Sequence, residues 1–383
     1  MTKVLITGTF DIIHPGHLHL INQAKKLGDF LTVVIARDQN VVKIKGREPF
    51  YNEHQRLANL QLLALADSVI LGGLDDPYEV IRKEEPDIIA LGYDQQVFVN
   101  GLIEFRNNSA AHFKIERLEA FKEDICKGKN IRKAIEDSQA GFLLINKEGD
   151  WTSHDVVAKL RSILKIKQIG HTGTLDPFAT GLLICAVGNA TKMVGLFDLL
   201  PKTYQATIKL GQTSDTFDRT GEISKFQNPI SPALPGQAKE ISNSNLQEIL
   251  SSFLGKQEQL PPMYSAKKIN GKKLYDLARQ GIEVARKLCE IEIYSIKLLN
   301  FNSDLLKIEV QCSAGTYIRV LAHDFGQKLG TGALLQELKR TAIGGFNLSS
   351  AVSLNTLTSQ NFSGQQIAPL PALELINRQY LGR

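Results

Sequence analysis

Two short stretches of this 383-residue chain hold residue types that can do chemistry. The first is GHTGTLDPFATGLL, residues 170–183, in which one acidic residue, Asp176, stands among Gly, Thr and Pro just before the apolar run LLICAVG. Asp-Pro between glycines is an ordinary turn, but a lone carboxylate is also one of the side chains that forms covalent intermediates. The second is GTFDIIHPGH, residues 8–17. His14 and His17 stand three apart, so both can face one side of an entering helical turn. The amides of a strand-to-helix loop attract phosphate, and two imidazoles there can donate hydrogen bonds to a phosphate whose charge shifts during transfer. The plainer alternative is one capping histidine and one on the surface.

The elements that must carry these stretches differ between the two halves. In the first half β-rich runs (KVLITGTF, FLTVVIARD, SVILGG, DIIALGYD) alternate with amphipathic helical stretches (HPGHLHLINQAKKLG, NEHQRLANLQLLALA, PYEVIRKEEP). That alternation predicts a parallel sheet with helices on both faces, a Rossmann-like α/β fold. Ligands of such folds bind at the carboxyl ends of strands, where GTFDIIHPGH falls. The pattern changes near residues 136–142. Longer strands then follow one another directly, as in KTYQATIKLG and CEIEIYSIKLLNF, with helices such as SNSNLQEILSSFLG and YIRVLAHDFGQKLG between them. This predicts an α+β fold with a mixed, mostly antiparallel sheet. The Pro/Ser/Asn-rich segment 227–245 reads as a surface loop. The expected division is 1–137, 138–346 and a short tail, 347–383.

Composition narrows the function classes. At 43% hydrophobic and 22% charged residues the chain is ordinary for a soluble protein. No run approaches the roughly 18 apolar residues of a membrane span, and the N-terminus shows no secretory signal. Cys126, Cys185, Cys289 and Cys312 are far apart and form no Cys-x-x-Cys, which argues against a zinc ribbon or a disulfide framework. A reducing cytoplasm is the expected setting. Residues 1–135 carry 18 basic and 18 acidic side chains, and the remainder 27 and 22, so the net charge of +5 lies wholly in the second half. That is a mild pointer to a polyanionic partner there.

GTFDIIHPGH, with ARDQNVVKIKGREPFYNEHQRL and PDIIALGYDQ, resembles the nucleotidyltransferase superfamily that carries the His-x-Gly-His motif. The match lies in the branch of the archaeal-type FAD synthases and glycerol-3-phosphate cytidylyltransferases, over about residues 1–135. The resemblance implies transfer of a nucleotidyl group from a nucleoside triphosphate, with Mg²⁺, to a phosphate-bearing acceptor. His14 and His17 would be catalytic, and Gly8, Thr9, Phe10, Lys45, Arg47, Asp94 and Arg132 would bind the nucleotide, with Arg56 a further phosphate candidate. The chain departs from the pattern at KGKNIRK, residues 127–133, where Gly128 and Lys129 replace the hydroxyl side chains that usually close on the triphosphate. The alternative is therefore a non-catalytic module that binds nucleotide or RNA.

The Asp176 stretch extends to KQIGHTGTLDPFATGLLICAVGNATK and is followed in order by KTYQATIKLGQTSDTFDRTGE, QLPPMYSAKKINGKKLYDLARQG, CSAGTYIRVLAHDFGQKLG and LLQELKRTAIGGF. From about Gly141 to Phe346 these blocks resemble the TruB-type tRNA pseudouridine synthases. The resemblance implies isomerisation of the T-loop uridine of tRNA, position 55 in tRNA numbering, without a cofactor. Asp176 would be the catalytic carboxylate, attacking either base or sugar, Arg319 its ionic partner and Tyr204 the platform for a base flipped out of the RNA. His171, Leu338 and Lys192 would meet the RNA, with Lys202, Lys267 and Lys268 as further phosphate candidates. Many bacterial relatives carry an additional small RNA-binding domain, called PUA, for which residues 347–383 are too few. Expected partners are the tRNA T-arm and a nucleoside triphosphate, with no membrane.

Overall fold

A computed structural model of the chain describes residues 1–96, 99–109, 112–226, 242–265, 268–269, 272–278 and 280–382, with backbone alone at 268–269, 272–273 and 275–276. Most of the segment expected as a surface loop, 227–241, and Lys267 lie outside the described residues. The chain forms two compact units, Met1–Glu136 with Tyr380–Arg383, and Asp137–Gln379.

The first unit is built on a five-stranded sheet in the order Ser68–Leu71, Phe30–Ile35, Lys3–Gly8, Ile88–Leu91, Lys114–Arg117. Every neighbouring pair is parallel, as the strand–helix alternation implied. Strands covered on both faces read as apolar runs; Leu5, Ile6, Leu31 and Ile89 are fully buried. Helix Pro15–Lys25 starts with Pro at its first position and His14 as its cap. Helix Glu53–Leu63 opens with a capping box between Asn52 and Gln55. Chain order changes direction between Lys3–Gly8 and Ile88–Leu91, and the carboxyl ends of two such strands bound the crevice where ligands bind. GTFDIIHPGH leaves one of these ends and GYDQ the other. Three helices went unseparated in the sequence pattern: Asp38–Lys45, Val99–Asn108 and Gly128–Glu136.

The second unit is an α+β body on a mixed, mostly antiparallel sheet. Its main path runs Gly255–Gln259, Cys289–Asn302, Leu305–Cys312, Lys202–Leu210, Ala333–Ile343, Thr180–Val187, Gly141–Lys147, Gln366–Ile367. Among these described strands the parallel pairing is the one between Ala333–Ile343 and Thr180–Val187. It sets Lys339 and Arg340 beside Thr180 and Gly181, directly downstream of Asp176. One apolar cluster under this sheet joins Leu175, Phe178, Tyr204, Leu338, Ile318 and Phe325, so the Asp176 loop, the central strands and helix Ile318–Leu329 share a core. Residues after Phe346 are built into the unit. Gln366 and Ile367 extend the sheet against Leu143 and Phe142, and a final helix follows at Pro369–Tyr380.

Gly181 is the tightest point of this arrangement. Its φ is +99°, and a Cβ there would stand 2.3 Å from the carbonyl oxygen of Arg340. Only glycine tolerates both the backbone angle and the approach. Gly181→Ala is expected to destabilise the second unit by about 3 kcal/mol. The fluorescence of Trp151, the single tryptophan, followed through urea unfolding measures it; an unchanged midpoint would show that the strands separate at no cost.

Candidate active sites of the two units

In the second unit the backbone around Asp176 is fastened before its carboxylate is considered. The Ser153 hydroxyl accepts from the amide of Leu175 at 2.9 Å and donates to its carbonyl at 3.3 Å. The carbonyl of Pro177 accepts from the amide of Asp150 at 2.9 Å and from Lys147 Nζ at 3.0 Å. Arg340 Nη2 donates to the carbonyl of Gly173 at 3.0 Å, and its Nε to that of Leu182 at 2.7 Å. Lys147 is fully buried and also donates to the carbonyls of Glu148 and Trp151. Three ammonium protons thus meet three carbonyls, and burial pulls this lysine down to about 8.

The carboxylate points at Arg319, whose Nη2 donates to Asp176 Oδ1 at 3.2 Å and to the carbonyl of Tyr264 at 2.7 Å. The other arm, Nη1, reaches Asp218 Oδ2 at 3.4 Å. Asp218 is buried and its Oδ1 accepts from the hydroxyls of Thr216 and Thr220 and the amide of Thr220. Asp176 keeps 30% of its side chain exposed against 2% for Asp218, so Asp176 is the member of the pair that a ligand can meet. Burial raises its pKa above the usual aspartate value; Arg319 and Lys147 oppose that rise and Asp218 adds to it.

Tyr204 is buried in the central strand Lys202–Leu210 and lies in register with Arg340. Burial raises its phenol and a hydrogen bond from Arg340 opposes the rise. Leu338 shares the apolar cluster with Tyr204, Leu175 and Phe178. Sequence reasoning therefore named side chains that the fold brings together: Asp176, Arg319, Tyr204 and Leu338. His171 lies on the strand Ile169–Thr172; burial, and the nearby His154 and Arg340, pull it down to about 4. Lys192 is exposed on the 3₁₀ segment Gly188–Leu199, where its charge acts on Asp137. Lys202 is corrected: it is buried, with Nζ donating to the carbonyls of Phe197 and Leu200, so its charge is spent inside the protein. Lys268 has only its backbone described.

Lys147, Ser153, Asp218 and Arg340 were missed. For Arg340 the signal was present. Along Ala333–Ile343 it falls on the same buried face as Leu338, two residues earlier.

In the first unit Phe10 adopts a left-handed φ of +46°, and its ring lies where a Cβ on Gly8 would stand 2.7 Å away, so that position requires glycine. The rings of His14 and His17 stack at 3.9 Å, with Phe10 at 5.4 Å from His17. Burial takes His14 well below the ordinary histidine value and His17 to about 4, so both are neutral at pH 7. His14 Nδ1 accepts from the amide of Gly16 at 3.2 Å, which leaves the proton on Nε2. That nitrogen would stand 3.6 Å from a Cβ on Gly128, at the start of helix Gly128–Glu136. Lys45 Nζ donates to the Thr9 hydroxyl at 2.8 Å and feels the charges of Asp11, Arg47 and Asp94. Arg132 lies at the same place, bound to Glu136 and to the carbonyl of Glu48 and 3.7 Å from Asp11. Arg56 is corrected. It is fully buried, pairs with Asp38 and donates to the carbonyls of Tyr51, Thr9 and Ala36, a brace rather than a phosphate contact. Among the described residues no group of three or more His, Cys, Asp and Glu side chains could by itself hold a metal ion, and no helix is long and apolar enough to cross a membrane.

Replacing Lys147 by Met keeps the length but takes the ammonium donor from the carbonyls of Glu148 and Trp151, and leaves that of Pro177 with the Asp150 amide. Lys147→Met is expected to cost about 3–5 kcal/mol, well beyond an exposed lysine, read by the same Trp151 unfolding curve. A loss below about 1 kcal/mol would mean that water reaches those carbonyls.

Comparison with known proteins places both units. Residues 5–134 match the family model "Cytidylyltransferase-like", residues 161–318 the "TruB family pseudouridylate synthase (N terminal domain)" and residues 319–370 the "tRNA pseudouridylate synthase B C-terminal domain". The tRNA pseudouridine synthase B of Clostridium acetobutylicum is 47% identical over 223 residues, 58% of this chain and 74% of that protein. That of Geobacter sulfurreducens is 44% identical over 237 residues, 61% of this chain and 75% of its own. Among solved structures, a Cbf5–Nop10–Gar1 complex aligns with 65% of this chain and 64% of its own, under two thirds, at 26% identity and a TM-score of 0.47. The chain belongs to the tRNA pseudouridine synthase B family, with a cytidylyltransferase-like domain ahead of the synthase unit.

Proposed function

We propose that the second unit converts a uridine of the tRNA T-loop to pseudouridine, with Asp176 as nucleophile. The observation that carries this reading is a carboxylate on a fastened loop, partly open to ligand and paired with a buried guanidinium. In the reaction the bond between N1 of the base and the sugar carbon breaks, a bond from C5 to that carbon forms, C5 loses a proton and N1 gains one. Nothing is oxidised and no atom is acquired, so the chemistry needs no cofactor. Arg319 and Lys147 favour the ionised form of Asp176 against its burial. Tyr204 and Leu338 offer the apolar and aromatic surface that a flipped base needs. His171 supports the RNA side of the reading only as a neutral group, since burial keeps its imidazole uncharged at pH 7.

Asp176→Asn retains shape and removes the nucleophile. It is expected to bind unmodified tRNA and form no pseudouridine, read by carbodiimide labelling; substantial product would remove Asp176 from the chemistry. The pH dependence has a fixed sign. A carboxyl raised by burial must still lose its proton, so the wild-type rate falls on the acid side at a pH above the ordinary aspartate range. Arg319→Gln moves that limb further up, because it removes the largest influence holding the pKa down.

We infer that the first unit binds a nucleoside triphosphate and is built for nucleotidyl transfer to a phosphate-bearing acceptor. Support comes from the neutral His14–His17 pair, the amides of the Gly8–Phe10 turn and the Lys45, Arg47 and Arg132 cations at the same strand end. Mg²⁺ would travel with the triphosphate, neutralising its charge. It needs only one or two protein carboxylates, and exposed Asp94 beside Lys45 fits that need. The absence of hydroxyls at Gly128 and Lys129 should cost rate more than affinity. His14→Ala with His17→Ala is expected to weaken ATP or CTP binding in calorimetry and to leave pseudouridine formation intact. Wild-type protein that binds neither nucleotide in Mg²⁺ would reduce this unit to a fold without its ligand.

A further inference from the structure

Arg219 sits in the loop between the strands Gln212–Ser214 and Ile223–Lys225 and is exposed. Its backbone is fixed from three sides. The Arg219 amide donates to the carbonyl of Leu335 at 3.0 Å, and the amide of Leu335 donates to the carbonyl of Phe217 at 2.9 Å. Between them Asp218 is pinned through its carboxylate to Thr216, Thr220 and Arg319. Phe217 adopts a left-handed φ of +63° and stacks on His323 with ring centroids 4.2 Å apart. A bulky residue at positive φ costs about 1–3 kcal/mol and persists only where its surroundings over-determine it. Three consecutive residues are therefore committed: Phe217 to His323, Asp218 to Arg319, and Arg219 to the ring of Phe178, 5.8 Å from the guanidinium carbon.

Phe178 is two residues beyond Asp176 and belongs to the apolar cluster that holds Tyr204 and Leu338. The Arg219 guanidinium therefore stands over the wall of the proposed base pocket. Its situation differs from that of the buried cations of this unit. Lys147, Lys202, Arg319 and Arg340 spend donors on carbonyls or carboxylates. Arg219 has no carboxylate within ion-pair distance among the described residues, and its side chain makes none of their mutual hydrogen bonds. A guanidinium on a fixed backbone, exposed, 5.8 Å from the Phe178 ring centre and with donors that no described residue takes, suits a phosphodiester at the edge of the proposed pocket, which it can engage through two parallel N–H groups.

We propose that Arg219 binds the RNA backbone phosphate next to the target nucleotide and so holds that nucleotide, flipped out, against Asp176. This deepens the pseudouridine reading and rests on it. An RNA-binding contact of this kind adds affinity and register rather than chemistry.

The test uses the full chain and an unmodified tRNA transcript. Arg219→Ala is expected to weaken binding about tenfold and to lower the slope of log affinity against log salt by about one. KM should rise while kcat at saturating tRNA changes by less than about threefold. Arg219→Lys should recover most of the salt slope but only part of the affinity, because an ammonium lacks the flat bidentate face. An unchanged affinity and slope in Arg219→Ala overturns the proposal. So does a loss accompanied by a lowered Trp151 unfolding midpoint and not relieved by Lys, which marks a purely structural role. Wild-type protein that binds tRNA but makes no pseudouridine overturns the reaction instead, and the salt slopes then still decide the phosphate contact.

Discussion

The second unit depends on one guanidinium placed between two carboxylates. Arg319 joins Asp176, Asp218 and the carbonyl of Tyr264, three points scattered over nearly ninety residues of sequence. Taking an arginine and an aspartate out of water costs several kcal/mol per ion before their attraction offsets it. Stability alone would thus be served as well by an apolar cluster. What the arrangement secures is position. Asp218, saturated by threonine donors and buried, keeps Arg319 in place whether or not Asp176 is engaged. The proposed exchange of part of Asp176's contact for a ligand would then not release the arginine. A lysine would serve less well here, since its compact ammonium lacks the planar fork that spreads donors over two acids and a carbonyl.

Around that centre, buried cations act on backbone rather than on ligand. Lys147 and Arg340 between them take carbonyls on both sides of Asp176, and Ser153 takes the amide and carbonyl just before it. Loop residues usually carry function at the expense of order. Here the loop is tied at Gly173, Leu175 and Pro177, so little but the Asp176 side chain is left to move. Arg56 does the equivalent in the first unit, where its donors close on Thr9, Ala36, Tyr51 and Asp38.

This explains which parts of the molecule were legible beforehand. The two fold classes could be read because each rests on periodicity: apolar runs alternating with helices for the parallel sheet, consecutive long strands for the mixed one. Asp176, Arg319, Tyr204 and Leu338 could be read as a set because their motifs follow one another in a recognisable order. Lys202 and Arg56 could not be sorted, because a cation in a sequence has the same name whether it reaches for phosphate or for a neighbouring carbonyl. Only tertiary burial separates the two. Arg340 lay within reach of strand alternation, whereas Lys147 ends an apolar run whose partners, Trp151 and Pro177, become neighbours only when the loops close.

The two sites also differ in how complete they are before a ligand arrives. In the second unit the acid, its ionic partner and the anchors of both are mutually satisfied, which is the condition for electrostatic preorganisation. In the first, Lys45, Arg47 and Asp94 are exposed, and the cations at the strand end stand among acids, Asp11 and Asp94 near Lys45 and Asp11 and Glu136 near Arg132. Its histidines, held neutral by burial, add hydrogen-bond donors without adding charge. Exposed cations and neutral donors at one strand end are groups that can meet a polyanion, as the proposed triphosphate would be. Hydroxyls at Gly128 and Lys129 would have supplied directional donors matched to the transferring phosphate; an ammonium at Lys129 supplies charge without a fixed direction. Ground-state attraction needs only the charge. Rate needs the direction, because only contacts that strengthen as the phosphate reorganises lower the barrier.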